Sequence, residues 1–369
     1  MTRHLRVDGS RSITVDATNS HNRWFPGLDP CLEVEPGEEI VLELRDGMDG
    51  ELAPEMTAES LRSISLDANH ALTGPIAVGG AEPGDTLVVE ILGIDTAAYG
   101  ATAVIPGFGL LGDRFDRPFL VRWEIADGCA RSADLPGVVI RGAPFIGTIG
   151  VAPSPALLDS AAARERAVAA AGGLALMPQA EGAAPSLEPY ASTGLRTIPP
   201  RENGGNLDIP QLGVGSRLLL GVQVPGALLS LGDAHFAQGE GEACGTAIEI
   251  QATARIRVGL RKSEDSDWTP TFPAFEFAAP AGPPGRREYI ATTGVGVDER
   301  GANGSLDTTT AARRAVAELV ELLCATRGLT EEQAYVLTSV AADLRISEAV
   351  NVPNPLVSAI LPLDVFESS

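Results

Sequence analysis

The sequence predicts a mainly β protein with a sandwich- or barrel-like core and a few peripheral α-helices. Three observations carry that expectation. The 369 residues include 41 Gly and 27 Pro, which punctuate short apolar runs along the chain, the texture of many strands joined by turns. Residues 247–260 alternate apolar and polar side chains without interruption. Helical spacing is confined to a few segments, after residues 154, 307 and 330.

Taken in order, Ile40–Leu44 alternates and follows the turn Glu35-Pro36-Gly37-Glu38, and the β-branched run Thr86–Ile94 follows Glu82-Pro83-Gly84-Asp85. The repeated turn reads either as an internal repeat or as one common hairpin turn used twice. Ser154–Ala171 is Ala-rich and carries Arg164, Glu165 and Arg166, which predicts an exposed helix stopped by Gly172-Gly173. Gly182–Ser192 reads as a long surface loop. Leu218–Val224 and Ala227–His235 read as adjacent strands joined by the Pro225-Gly226 turn. Within 247–260, Ile248, Ile250, Ala252, Ala254, Ile256, Val258 and Leu260 share one face, and Glu249, Gln251, Thr253, Arg255 and Arg257 the other, as a half-buried strand requires. Ala311–Thr326 carries the stripe Val316, Leu319, Val320 and Leu323 behind a polar cap at 307–310. Thr330 with Gln333 forms a capping box that opens the last helix. The expected division is an N-terminal β-rich domain over 1–153, a helix-and-loop connection over 154–200 and a C-terminal β-rich catalytic region over 201–369.

Composition excludes several classes of function. With 27 basic and 49 acidic side chains the formal charge is −22, so nucleic acid and anionic membranes would be repelled. No apolar run reaches the ~18–20 residues of a membrane span, and no apolar segment follows the basic N-terminus as a secretory signal would. Cys31, Cys129, Cys244 and Cys324 are scattered without a C-x-x-C pair, which reads as cytosolic thiols. A cytoplasmic protein is expected.

The chain has four histidines, His4, His21, His70 and His235. The last lies in Gly232-Asp233-Ala234-His235-Phe236-Ala237-Gln238-Gly239-Glu240-Gly241-Glu242. Asp233 and His235, two apart on a strand, point to one face, the same parity as Leu229 and Leu231. An anion and an imidazole on a core-facing surface are costly unless compensated, and zinc accepts both as ligands. A hydrogen-bonded Asp–His pair at a strand end is the alternative reading of this spacing. Glu202-Asn203-Gly204-Gly205-Asn206-Leu207-Asp208 is a second polar, glycine-flexed stretch, also readable as an Asx-type turn. His70 precedes the turn Thr73-Gly74-Pro75. No G-x-S-x-G elbow, H-E-x-x-H, P-loop or S-x-x-K is present, which disfavours those chemistries. Cys244 starts an apolar strand without an adjacent base and reads as core.

Together these segments resemble the acetamidase/formamidase family. The match is carried by Glu202 to Asp208, Val224 to Leu228, Gly232 to Glu242 and Cys244 to Glu249, with weaker support from His70 to Pro75, Gly80 to Asp85, Phe145 to Pro153, Ala334 to Ser339 and Asp343 to Glu348. Two departures stand out: Glu240 where the family usually has Asp, and Ala71 where Pro often follows the histidine. The first suggests a lengthened carboxylate at the site and a shifted substrate preference. The resemblance implies a β-rich fold, hydrolysis of a small amide (formamide, acetamide or a γ-lactam), a divalent metal and a homodimer or higher homo-oligomer.

The mechanism expected on that basis has Asp233 and His235 as metal ligands, joined by His70 and Asp208, with zinc first and calcium as the alternative ion. Glu242 is the general base, with Glu240 second. Asn206, Gln238 and Phe236 are expected to hold the amide. A reading from another class is a non-catalytic small-ligand- or carbohydrate-binding β protein with a structural calcium on Asp208, Asp233 and Glu242.

Overall fold

The two acid-Pro-Gly-acid turns lead into strands of one sheet. In the computed structural model, which describes residues 3–278, 288–350 and 353–367, Gly37 and Gly84 take φ of +96° and +98°, the left-handed region that glycine enters freely. The strands they introduce, Glu39–Leu44 and Thr86–Thr96, flank Ala252–Arg261 and run antiparallel to it. The whole six-stranded sheet runs Arg3–Leu5, Glu39–Leu44, Ala252–Arg261, Thr86–Thr96, Arg217–Gly221, Ala274–Glu276.

A second sheet of eleven strands follows the path Val139–Arg141, Cys129–Arg131, Phe119–Ala126, Tyr99–Val104, Glu249–Ile250, Leu229–His235, Phe145–Gly150, Gly204–Asn206, with Leu72–Val78 also paired to Leu229–His235. Leu229–His235 is therefore central. One edge is covered by Phe145–Gly150, and the other is shared between Leu72–Val78 and Glu249–Ile250. Every residue of that strand is buried. A continuous apolar cluster joins the two sheets, through Leu42 and Ile256 on one and Leu231 and Ile250 on the other, and extends to Leu319 and Val336 on the helices. At 33% strand and 19% helix the protein is mainly β, as expected. Both sheets interleave strands from the first 153 residues with strands from beyond residue 200, so the division expected at those positions does not separate one sheet from the other.

The helices follow their caps. Ser154 Oγ accepts from Leu157 N at 3.2 Å to open Pro155–Ala170. Asp307 accepts from Thr310 N at 3.0 Å to open Thr308–Arg327, and the Thr330/Gln333 capping box opens Glu331–Ala341. Thr308–Arg327 packs on the small sheet Tyr289–Val295, Leu356–Pro362, Asp343–Glu348; Thr292 Oγ1 donates to Ala315 O at 2.7 Å across that contact.

Three expectations need correction. Arg217–Gly221 and Leu229–His235 are not neighbours but lie in different sheets. Their connection continues past Pro225-Gly226 through Ala227 and Leu228, at φ of +58° and +57°. The alternating run 247–260 is not one strand: Glu249–Ile250 belongs to the large sheet and Ala252–Arg261 to the other, the chain changing sheets at Gln251. The loop at 182–192 is not wholly at the surface, because Tyr190 opens a short helix, Tyr190–Thr193, and is buried. Its hydroxyl accepts from Asn22 N at 3.1 Å and donates to Ala184 O at 2.7 Å. All four cysteines are free. Among the described residues no helix is long and apolar enough to cross a membrane.

Candidate active site

The C-terminal end of the central strand delivers Asp233 and His235. Across the strand pair, Thr148 stands opposite Asn206, and Leu207 N and Asp208 N both donate to Gly147 O, at 2.9 and 3.2 Å. That turn brings Asp208 beside Asp233. His70, two residues before Leu72–Val78, is anchored through its main chain by Thr197, whose hydroxyl donates to His70 O at 3.1 Å. Glu242 sits in the glycine-rich turn after the strand, and the helix Glu331–Ala341 supports that turn: Gly239 N donates to Ser339 O at 2.8 Å, and Cys244 N to Ser339 Oγ at 3.1 Å.

These residues close on a small cavity of about 70 Å³, lined by the polar side chains of Asn69, His70, Asn206, Asp208, Asp233, His235, Glu242, Thr246 and Glu249 and by Met48, Leu66, Ile105, Phe108 and Ile198. The volume accommodates roughly five water-sized groups. Convergent polar groups beside an apolar wall suit a small ligand that is polar at one end and aliphatic at the other.

His235 organises the centre. Gln238 Nε2 donates to Asp208 O at 3.0 Å, which leaves Gln238 Oε1 facing His235 Nδ1 at 2.9 Å. An amide oxygen only accepts, so Nδ1 carries a proton. His235 Nε2 then points at two carboxylates, Glu249 Oε2 at 3.2 Å and Asp233 Oδ1 at 3.3 Å. Asp233 Oδ2 is 3.9 Å from His70 Nδ1 and accepts from Thr148 Oγ1 at 3.1 Å. Three buried atoms of the cluster have no hydrogen-bond partner: His70 Nδ1, Asp208 Oδ1 and Glu249 Oε2. Ligand atoms of Asp208, Asp233 and His235 lie within 4.8 Å of one another, as do those of His235, Glu242 and Glu249.

So many acids in one buried place perturb one another. Burial pushes Asp208 up to about 6, with Asp233 adding to the shift and His235 opposing it. Burial would also raise Asp233, but the His70 and His235 imidazoles outweigh it and hold this carboxyl well below the usual range. Burial and the neighbouring Asp208 push Glu242 far up. Burial disfavours the His235 imidazolium, but Glu249 and Asp233 reverse that and raise it. Three of the acidic residues also sit in left-handed backbone, Asp208, Asp233 and Glu242 at φ of +47°, +58° and +40°. That conformation costs a non-glycine residue of order 1–3 kcal/mol and persists where the surroundings enforce it, commonly at functional sites.

Of the residues singled out in the sequence, Asp233, His235, His70, Asp208, Glu242 and Asn206 meet at this cavity. Glu240, Gln238 and Phe236 do not line it. Glu240 Oε1 accepts from Gln211 Nε2 at 2.6 Å, so its extra methylene relative to Asp extends toward Gln211 rather than toward the site. Gln238 is engaged in orienting His235. Phe236 is buried in the main apolar cluster. Glu249 was missed: alternation assigns it to an outward face, but the large sheet is covered on both sides there and the side chain is 6% exposed. Its place in the Cys244 to Glu249 block was the available signal.

Gly47 was also invisible in the sequence. A Cβ on it would lie 1.9 Å from Asp233 Oδ1 and 3.2 Å from Glu249 Oε2, so the carboxylates pack directly on bare backbone. Gly47→Ala must displace Asp233, and overpacking of this kind costs about 1–3 kcal/mol. We expect a lower melting temperature together with a drop in turnover of at least about tenfold, since misplacement by ~1 Å can cost ~10². Wild-type turnover in Gly47→Ala would show that the position of Asp233 is immaterial.

The chain is similar to known proteins over most of its length. The profile of the Acetamidase/Formamidase family matches residues 6–368. An acetamidase of Mycolicibacterium smegmatis is 36% identical over 364 residues, covering 90% of this chain and 87% of that protein. A formamidase of Methylophilus methylotrophus is 34% identical over 366 residues, covering 94% and 89%. Among solved structures, a gamma lactamase from Delftia acidovorans superposes with a TM-score of 0.93 at 34% identity, over 100% of this chain and 94% of that one.

Proposed function

Starting from the fact that this chain belongs to the acetamidase/formamidase family and is an amidase acting on non-peptide C–N bonds, we propose that it is a divalent-metal-dependent hydrolase of small amides. Its substrates would be formamide, acetamide or a γ-lactam, released as a carboxylic acid with ammonia or an amine. The observation that carries the metal is His235, whose Nε2 faces Asp233 and Glu249 at 3.3 and 3.2 Å while its Nδ1–H is held by Gln238. An outer-sphere acceptor on the far nitrogen is how a ligating histidine is fixed in the required tautomer. The unpartnered atoms of His70, Asp208 and Glu249 are what a cation would satisfy. Imidazole with carboxylates is a zinc-type donor set, whereas calcium takes oxygen alone.

His235 would hold the ion with carboxylates of the two sets whose ligand atoms converge with its own, Asp233 and Asp208 in one and Glu249 and Glu242 in the other, and with His70 close by. When bound, a divalent cation supplies Lewis-acid polarisation of the carbonyl, lowers the pKa of water toward about 7 and offsets the crowded negative charge. Glu242 takes the proton of the attacking water and returns it to the amide nitrogen as the C–N bond breaks; a carboxyl raised by burial is suited to that exchange. Asn206 meets the amide through its own amide group. The apolar side chains of Met48, Ile105, Phe108 and Ile198 would enclose the acyl part and exclude bulk water.

Metal analysis with an ammonia-release assay tests this reading. We expect about one divalent ion per chain, loss of turnover on chelation and its return on adding zinc. Full activity in rigorously metal-free protein would overturn the metal, and no turnover of formamide, acetamide or a γ-lactam by metal-loaded protein would overturn the substrate class.

A further inference from the structure

Resting on that reading, we propose that Thr148 fixes the Asn206 amide so that its oxygen, not its NH₂, faces the cavity, making Asn206 a receptor for a substrate N–H. The Thr148 hydroxyl is fully buried. It stands 2.8 Å from Asn206 Oδ1 and 3.1 Å from Asp233 Oδ2, close enough to donate to either but not to both. A hydroxyl has one proton to give. Asp233 has its Oδ1 3.3 Å from His235 Nε2 and its Oδ2 3.9 Å from His70 Nδ1; flanked by two imidazoles, it is a carboxylate that can only accept. The Thr148 proton therefore goes to Asp233.

The lone pairs of the same hydroxyl are then all that Asn206 can meet. With Oδ1 toward Thr148, two acceptor oxygens would stand 2.8 Å apart with no proton between them. The two ends of an asparagine amide have nearly the same shape, so the hydrogen-bond network decides between them. With Nδ2 toward Thr148, Asn206 donates to the hydroxyl, the hydroxyl donates to Asp233, and every partner is satisfied. Asn206 Oδ1 is left facing a cavity that Asn206 itself lines.

The consequence is chemical selectivity. An acceptor at this point binds the N–H of a primary amide or lactam and repels the ring or ester oxygen of the corresponding lactone or ester. Sites built to bond an N–H discriminate strongly against the analogue lacking it, because the buried group is left unpaired. Thr148 is a positioning residue in this scheme, acting through Asn206.

The test compares 2-pyrrolidinone with γ-butyrolactone, which differ at the ring N–H, on metal-saturated enzyme. Thr148→Val keeps the shape and removes the relay. It should lower kcat/KM for the lactam by about 10–100-fold more than for the lactone, the worth of one buried hydrogen bond, over any loss common to both rings from the bond to Asp233. Thr148→Ser should restore the lactam rate. Asn206→Ala should lose the same discrimination, and it carries the test if Thr148→Val fails to fold. Equal losses on both rings in these variants would mean that Asn206 presents its NH₂ to the carbonyl, and would overturn the proposal; so would unchanged lactam rates. If the wild type turns over neither ring nor the linear amides, the functional reading has failed. The dissociation constants of the two rings then decide the orientation: tighter lactam binding, lost in Thr148→Val, upholds it, and equal binding overturns it.

Discussion

His235→Ala should release the metal and lower amide turnover by about 10³-fold or more, with the chain still folded. Loss of the ion removes several kcal/mol of transition-state charge stabilisation, at about 1.4 kcal/mol per decade of rate. The residue lies at the end of a strand whose apolar members, Leu229 and Leu231, stay packed in the core, and its backbone pairing with Phe145 and Glu249 survives truncation. Some stability will go, because Asp233 and Glu249 lose the imidazole between them, and uncompensated buried charge costs roughly 3–5 kcal/mol. Metal content, far-ultraviolet circular dichroism and turnover on one preparation check all three points. A folded His235→Ala that keeps its metal and its rate would remove His235 from the site.

Glu242→Gln separates proton transfer from metal binding. Glutamine keeps the length and hydrogen-bonding reach of the side chain but cannot take a proton at neutral pH. With Glu242 as the general base, metal should remain bound and kcat should fall by about 10²–10⁴. Parallel loss of metal and activity would make Glu242 a ligand instead, a role its proximity to His235 and Glu249 also permits. Glu240→Gln is the internal control. Its carboxylate is bonded to Gln211 and does not line the cavity, so turnover should stay within about threefold, the ordinary effect of a change remote from the chemistry.

The β character, the caps of the helices after residues 307 and 330 and the Asp233/His235 pair were all legible in the sequence, because each rests on local spacing. Side-chain parity on a strand is geometry that tertiary structure rarely overrides. Glu249 was read as outward because alternation reports two faces but not what covers them. In the large sheet the outward face at this point is the wall of the cavity, and nothing within Ala247–Leu260 encodes that. Gly47 and Thr148 come from a loop and a strand far from Asp233 in sequence, brought in by pairing that depends on the whole topology. Gln238 and Phe236 were placed near the substrate because they adjoin His235 in sequence. The chain turns after the strand end, so that Gln238 reaches back to the far nitrogen of the imidazole while Phe236 goes into the core.

The change of sheets at Gln251 also bears on how this protein comes apart. A proposed metal ligand, Glu249, is three residues from Ala252, where the chain becomes the strand bonded on both edges in the six-stranded sheet. Local opening is easiest where a segment is held by few long-range contacts, and this one is anchored in both sheets at once. Fraying around the site would have to drag the far sheet with it. The candidate site is therefore tied to this crossing between sheets, and the paired amides of Ala252–Arg261 beside it should exchange hydrogen mainly through global opening, at a rate set by the stability of the whole molecule.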